Sequence, residues 1–246
     1  MIKIEDVEVM GMRKAIKGMR NAMNSWDKSD SGVIRCTELT ECDKCAHKSI
    51  ICNGSIFYIG KADMKLCKNL IKAGSPDRKF LRMIHVQADV TAPLYWWKQA
   101  DQYRIGVTTN STSTMHTIHK KEFTLNDFSH ENLISDSVDI LKDLINTLND
   151  CRDSYINYDK DINLITKEIT SKKHIWWQMI QLLPSSFNQM RSIDLDYETL
   201  FSIYHQRKCH KLDEWREFCK WIETLPYMKE FLGLDEQVEK EKRELS

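Results

Sequence analysis

Ile84, Val86, Ala88 and Val90 alternate with His85, Gln87 and Asp89, and Ala92-Pro93 follows at once. An apolar residue at every second position is the period of a half-buried strand, expected here over residues 80–90. Pro93 suits the first turn of a helix, where its missing N–H has no partner to lose. Leu94, Tyr95, Trp96 and Trp97 give that helix, expected over 92–103, bulky side chains. Such a strand-to-helix join near the middle of the chain points to a mixed fold in which helices cover a sheet.

The flanking sequence fills in both layers. A strand is expected at 2–9, a helix at 13–23 and a loop at 24–32, where Asn, Asp, Ser and Gly collect. A strand is expected at 55–59. Met64, Cys67, Leu70 and Ile71 keep helical spacing over 62–73, with Gly74 at the C-cap and Pro76 beyond it. Residues 108–114 form a polar Thr/Ser/Asn run. Ile134, Val138, Leu141, Leu144, Ile145 and Leu148 step mostly by three and four, an amphipathic helix. A second helical stretch is expected over 153–183, broken near Lys172 and ended by Pro184. An extended segment at 190–197 and helices at 200–210 and 212–223 follow. The last carries Trp215, Phe218, Cys219 and Ile222 on one face. The expected class is α+β, with long helices packed on a mainly antiparallel sheet. The expected organisation is a single domain over 1–246, a small cysteine-bearing insertion at 33–58 and a charged tail at 235–246.

The 246 residues hold 36 Lys+Arg against 36 Asp+Glu. Zero net charge provides no global field to steer the chain onto nucleic acid or anionic lipid. Neither partner is expected. There is no apolar run of about 18 residues to span a bilayer. Lys3, Glu5, Asp6 and Glu8 interrupt the apolar residues at the N-terminus, so it does not read as a signal peptide. Cytoplasmic residence is the expectation, with cysteines as thiols or metal ligands rather than disulfides. Cys36, Cys42, Cys45 and Cys52 cluster within a short stretch, and the two-residue spacer of Cys42-Asp-Lys-Cys45 lets two thiolates share a structural zinc. The alternative is four free thiols in a surface loop.

The segment from Ala92-Pro93 through Lys98-Gln99, Gln102-Tyr103-Arg104 and Asn110-Ser111-Thr112-Ser113-Thr114-Met115-His116 resembles the core of the flavin-dependent thymidylate synthases. There an Ala-Pro turn opens a helix that carries Arg-Gln and, two residues on, Arg-His-Arg. An Asn-Glu-x-Ser-x-Arg-Tyr loop follows. Leu183-Pro184 and the Arg207, His210 and Glu214 series resemble the family's C-terminal pattern, one residue short. The matches span about residues 60–225. Trp-Trp-Lys, Ser-Thr-Met-His and His-Lys-Leu-Asp-Glu-Trp look like a divergent, phage- and Clostridia-type branch.

The resemblance implies a homotetramer with nucleotide sites at subunit interfaces. It implies transfer of a one-carbon unit from methylenetetrahydrofolate to C5 of dUMP, with the hydride from reduced FAD and NADPH as reductant. It assigns Arg207 and Ser113 to catalysis. Gln99, Ser111, Ser113 and Arg207 fall to the pyrimidine nucleotide, and Arg104, Tyr103, Gln102 and His85 to the flavin. Several positions depart from the family. Gln102 and Tyr103 replace two flavin-phosphate contacts, Ser111 replaces Glu, and Met115 and Ile180 replace two Arg. Met83 stands at a flavin-contacting His, with His85 nearby. Two readings follow: a flavin-dependent transferase acting on a pyrimidine nucleotide, or a nucleotide-binding protein that has lost flavin chemistry.

Overall fold

The computed structural model describes residues 2–35, 55–158 and 171–235. Six strands occur among them: β1 (Lys3–Met10), β2 (Gly32–Arg35), β3 (Ser55–Tyr58), β4 (His85–Pro93), β5 (Val107–Ser111) and β6 (Asn188–Asp196). One sheet has the order β1-β4-β6-β5, and β2 pairs with β3 in a separate antiparallel ribbon. Backbone bonds from Leu94 N to Phe187 O (3.0 Å) and from Tyr197 N to Ile84 O (2.9 Å) run β4 antiparallel to β6. Bonds from Thr112 N to Met190 O (3.0 Å) and from Asp196 N to Gly106 O (3.1 Å) do the same for β5. The alternation foreseen in β4 holds, with Val86, Ala88 and Val90 buried and Gln87 exposed.

The helices are α1 (Met12–Gly18), α2 (Lys61–Ala73), α3 (Leu94–Ala100), α4 (Thr114–Thr117), α5 (Ser135–Ile156), α6 (Lys172–Leu182), α7 (Tyr197–Arg207), α8 (Asp213–Thr224) and α9 (Met228–Phe231). Contacts divide the chain into two compact units. The first holds Met1–Lys3, Val90–Gln102 and Asn110–Arg191. The second holds Ile4–Asp89, Tyr103–Thr109 and Ser192–Ser246.

In the first unit α5 and α6 pack together. Leu141, Ile145, Leu148 and Cys151 of α5 meet Ile175 and Met179 of α6, with Phe123 and Phe128 in the same cluster. Burying a side chain such as Leu148 contributes about 2 kcal/mol. Trp96 and Trp97 of α3 are both buried. Adjacent helical residues point about 100° apart, so two buried neighbours mean that α3 is enclosed on more than one side. Trp97 donates from Nε1 to Gln189 O at 2.9 Å and lies under the Arg191 guanidinium at 4.3 Å. Neither ring is exposed for stacking on a ligand.

In the second unit, Trp215, Phe218, Cys219 and Ile222 form the buried face of α8, as their spacing requires. Asp196 caps α7 by accepting from Thr199 N at 2.7 Å, which starts that helix earlier than its apolar pattern suggests. Gly106 (φ +68°) lies against the Asp196 carboxylate, where a Cβ would collide.

Three local expectations change. Residues 78–83 form a 3-10 turn, Arg78–Met83, rather than the start of a strand. Its Phe80 and Leu81 are buried, and Arg78 Nε bonds Glu198 of α7 at 2.8 Å. The helix expected to end at 103 stops at Ala100. The polar Thr/Ser/Asn run begins within a strand, Val107–Ser111. α5 runs on unbroken to Ile156, past the expected start of a second helical stretch at 153, and α6 starts at Lys172, where the break is expected. The proposed metal ligands Cys36, Cys42, Cys45 and Cys52 lie outside the described residues, as does the tail beyond Asp235. Among the described residues no helix is long and apolar enough to cross a membrane.

Candidate functional site

A cavity of about 780 Å³ opens in the second unit. Its floor includes Leu70 of α2 and Phe80 and Met83 of the 3-10 turn, and Met19 lines it beyond α1. Three ammonium-bearing side chains line it, Lys14 and Lys17 of α1 and Lys79 of the 3-10 turn, against one carboxylate, Asp77. Lys14 and Lys17 are three residues apart, so they share one helix face. Gly11 (φ +87°) lets the start of α1 approach the Met83 carbonyl, where any Cβ would collide. Apolar floor and cationic rim together suit a ligand with a flat apolar body and anionic groups.

The wall beside this cavity is fixed from beneath. Arg20 follows Met19 and is buried, and its Nε reaches Asp63 Oδ1 at 2.5 Å. Ser29 and Ser31 donate to Asp63 Oδ2 at 2.6 and 2.5 Å. Burial pushes the Asp63 carboxyl up, but the bonds from Ser29, Ser31 and Arg20 outweigh it. The net effect holds this group below the usual carboxylate range. Asp30 accepts from the backbone N–H groups of Ala62 and Asp63 at 2.8 and 3.1 Å, which ties the 24–31 loop to the first turn of α2.

A second cluster in the same unit contains two residues singled out from sequence. Arg207 ends α7, and its Nε donates to the Tyr103 hydroxyl at 2.9 Å. The Tyr103 hydroxyl donates to Gln206 Oε1, also at 2.9 Å. Trp215 of α8 is buried under the guanidinium, 5.0 Å from ring centroid to Cζ. His210 accepts from Leu212 N through Nδ1 at 3.1 Å. Burial pushes the His210 imidazole below the ordinary histidine range, and the charges of Arg207, Arg216 and Lys211 push it further. Arg104 is exposed. His85 sits on β4 with its Nδ1 3.0 Å from Asp194 Oδ1 on β6.

The remaining sequence-selected residues belong to the first unit. Gln99 is half-buried on α3, and Gln102 is exposed just past that helix. Ser111 is exposed at the end of β5. Ser113 caps α4 by accepting from His116 N at 3.3 Å. Arg191 is committed within this unit: its Nη1 bonds Asp101 at 2.7 Å and its guanidinium covers Trp97. Sequence reading missed the Lys14, Lys17 and Lys79 rim and the Gln206 and Trp215 support. The Lys14/Lys17 spacing was a usable signal; Lys79 offered none.

No family model and no curated protein matches the chain. Solved structures do match it. One is thymidylate synthase X from Helicobacter pylori with FAD and dUMP, at 12% identity and a TM-score of 0.58, covering 94% of this chain and 97% of that one. Another is the flavin-dependent thymidylate synthase from the same organism, complexed with FAD and dUMP, at 11% identity and a TM-score of 0.59, with the same coverage. The chain therefore has the fold of the flavin-dependent thymidylate synthases, α+β with helices on an antiparallel sheet.

Proposed function

We propose that this chain is a flavin-dependent thymidylate-synthase-like protein that binds FAD and a pyrimidine nucleotide, dUMP or a relative, and alkylates the pyrimidine at C5. The observation that carries the reading is a fold shared over 94% of the chain with enzymes that hold FAD and dUMP. The lysine-rimmed cavity supports it, because its size and charge suit an anionic dinucleotide with a flat ring system.

In this reading Lys14, Lys17 and Lys79 neutralise the cofactor's phosphates, and the apolar floor receives its aromatic body. Reduced FAD supplies the hydride, methylenetetrahydrofolate the carbon and NADPH the reducing equivalents. Arg207 directs its terminal N–H groups at the pyrimidine carbonyls, where they stabilise negative charge on the ring as C5 reacts. Arg104, in the same unit, is an exposed cation for the cofactor's phosphates. The assembly is a homotetramer.

A second reading has a specific observation behind it. Tyr103, at the position that resembles a flavin-contacting His, has its hydroxyl engaged by Arg207 and Gln206. That favours a nucleotide-binding protein without flavin chemistry. Titration with FAD, followed by tritium release from C5-labelled dUMP in the presence of folate and NADPH, separates the two. Saturable flavin uptake with tritium release supports the transferase. Absence of both, with dUMP still bound, supports the binding protein; failure to bind either ligand refutes both.

A further inference from the structure

We infer that Tyr103 is a positioning residue for Arg207, fixing the plane and aim of a guanidinium that recognises the carbonyl acceptors of a pyrimidine. The inference rests on the reading of Arg207 as a pyrimidine-binding group.

The geometry is directional. A guanidinium has donors and no acceptor, so the 2.9 Å contact must run from Arg207 Nε–H to the Tyr103 oxygen. The phenol has one proton to give, and Gln206 Oε1 receives it at 2.9 Å. Each group in the chain Arg207–Tyr103–Gln206 thus has one orientation that satisfies it. The rings reinforce that choice. Arg207 Cζ lies 5.0 Å from the Trp215 centroid and 5.6 Å from that of Tyr103. The two rings meet edge to face at 67° with centroids 5.9 Å apart. Trp215 is almost fully buried, so it cannot swing away.

Arginine normally loses much side-chain freedom when it captures a ligand, and prior ordering removes that cost. Here the ordering is complete before a ligand arrives. Nε is committed to Tyr103, and four N–H bonds on the two terminal nitrogens remain as a planar fork. A guanidinium held in one plane presents those donors to carbonyl oxygens that lie in the same plane.

The test uses the full chain and four proteins: wild type, Tyr103→Phe, Gln206→Leu and Arg207→Ala. NMR measures hydrogen exchange of the Arg207 Nε–H, and calorimetric titration with dUMP gives Kd. Tyr103→Phe keeps the ring against Trp215 and removes the hydroxyl. It is expected to speed Nε–H exchange and raise the Kd for dUMP roughly tenfold, the loss of about one hydrogen bond, with Tm held. Gln206→Leu, which removes the acceptor orienting the phenol, is expected to act in the same direction by a smaller factor. A merely structural tyrosine would move Tm and leave exchange and Kd together. Wild-type exchange and Kd in Tyr103→Phe, with dUMP binding lost in Arg207→Ala, overturns the positioning role. Unchanged dUMP binding in Arg207→Ala, or none in the wild type, overturns instead the pyrimidine reading beneath it. The exchange rates then still decide whether Tyr103 holds Arg207.

Discussion

Asp63 has no exposed surface, and its carboxylate faces the buried Arg20 guanidinium at 2.5 Å. Two serine hydroxyls complete the acceptor side, so α2, the segment after α1 and the 29–31 loop meet at one carboxylate. Removing it strands a buried positive charge. Asp63→Ala is expected to destabilise the protein by about 3 kcal/mol, and Asp63→Asn by less, because an amide still accepts from the serines. Urea denaturation checks both.

The cavity rim makes an electrostatic prediction. Lys14→Gln with Lys17→Gln removes two exposed charges from one helix face. Each such charge is worth up to about 1 kcal/mol, so FAD affinity is expected to fall roughly tenfold. The salt dependence of binding weakens as well, since fewer ion pairs remain to be screened. Fluorescence titration at two ionic strengths reads both effects.

Cysteine reactivity follows burial. Burial pushes the Cys67 and Cys219 thiols up to about 12, and Cys151 is buried and raised as well. Cys209 is exposed. Iodoacetamide at mildly alkaline pH is expected to alkylate Cys209 in the native protein. Peptides containing Cys67, Cys151 and Cys219 become labelled only after denaturant is added. Mass spectrometry of the digest distinguishes them.

His210 gives the acid response a sign. Its folded pKa is depressed, by burial first and then by Arg207, Arg216 and Lys211. The unfolded imidazole therefore binds its proton more readily. The stabilisation is present above the ordinary histidine value of about 6.5 and is lost as pH falls through the folded value. Protonation also removes the Nδ1 acceptor from Leu212 N. The Tm is expected to fall between pH 7 and pH 5, and His210→Gln is expected to flatten that slope.

Where structure depends on neighbours in the chain, the sequence alone determined it. The alternation at Val86, Ala88 and Val90, the buried face of α8 and the Gly74 helix end are periodic or steric signals, complete within a few residues. The motif order from Ala92 to Glu214 likewise pointed to the fold. Other features depended on packing. Phe80 and Leu81 read as strand but turn inward within a 3-10 turn, and α7 starts early because Asp196 caps it. Trp96 and Trp97 are both buried because α3 is enclosed on more than one side, which no helical period reveals. The sites lay further beyond local reading. Tyr103 and Arg207 are 104 positions apart, and Lys79 joins Lys14 and Lys17 only across a cavity. Local spacing decides which face of an element is apolar. Which charges and rings converge depends on long-range packing, and that only the tertiary structure decided.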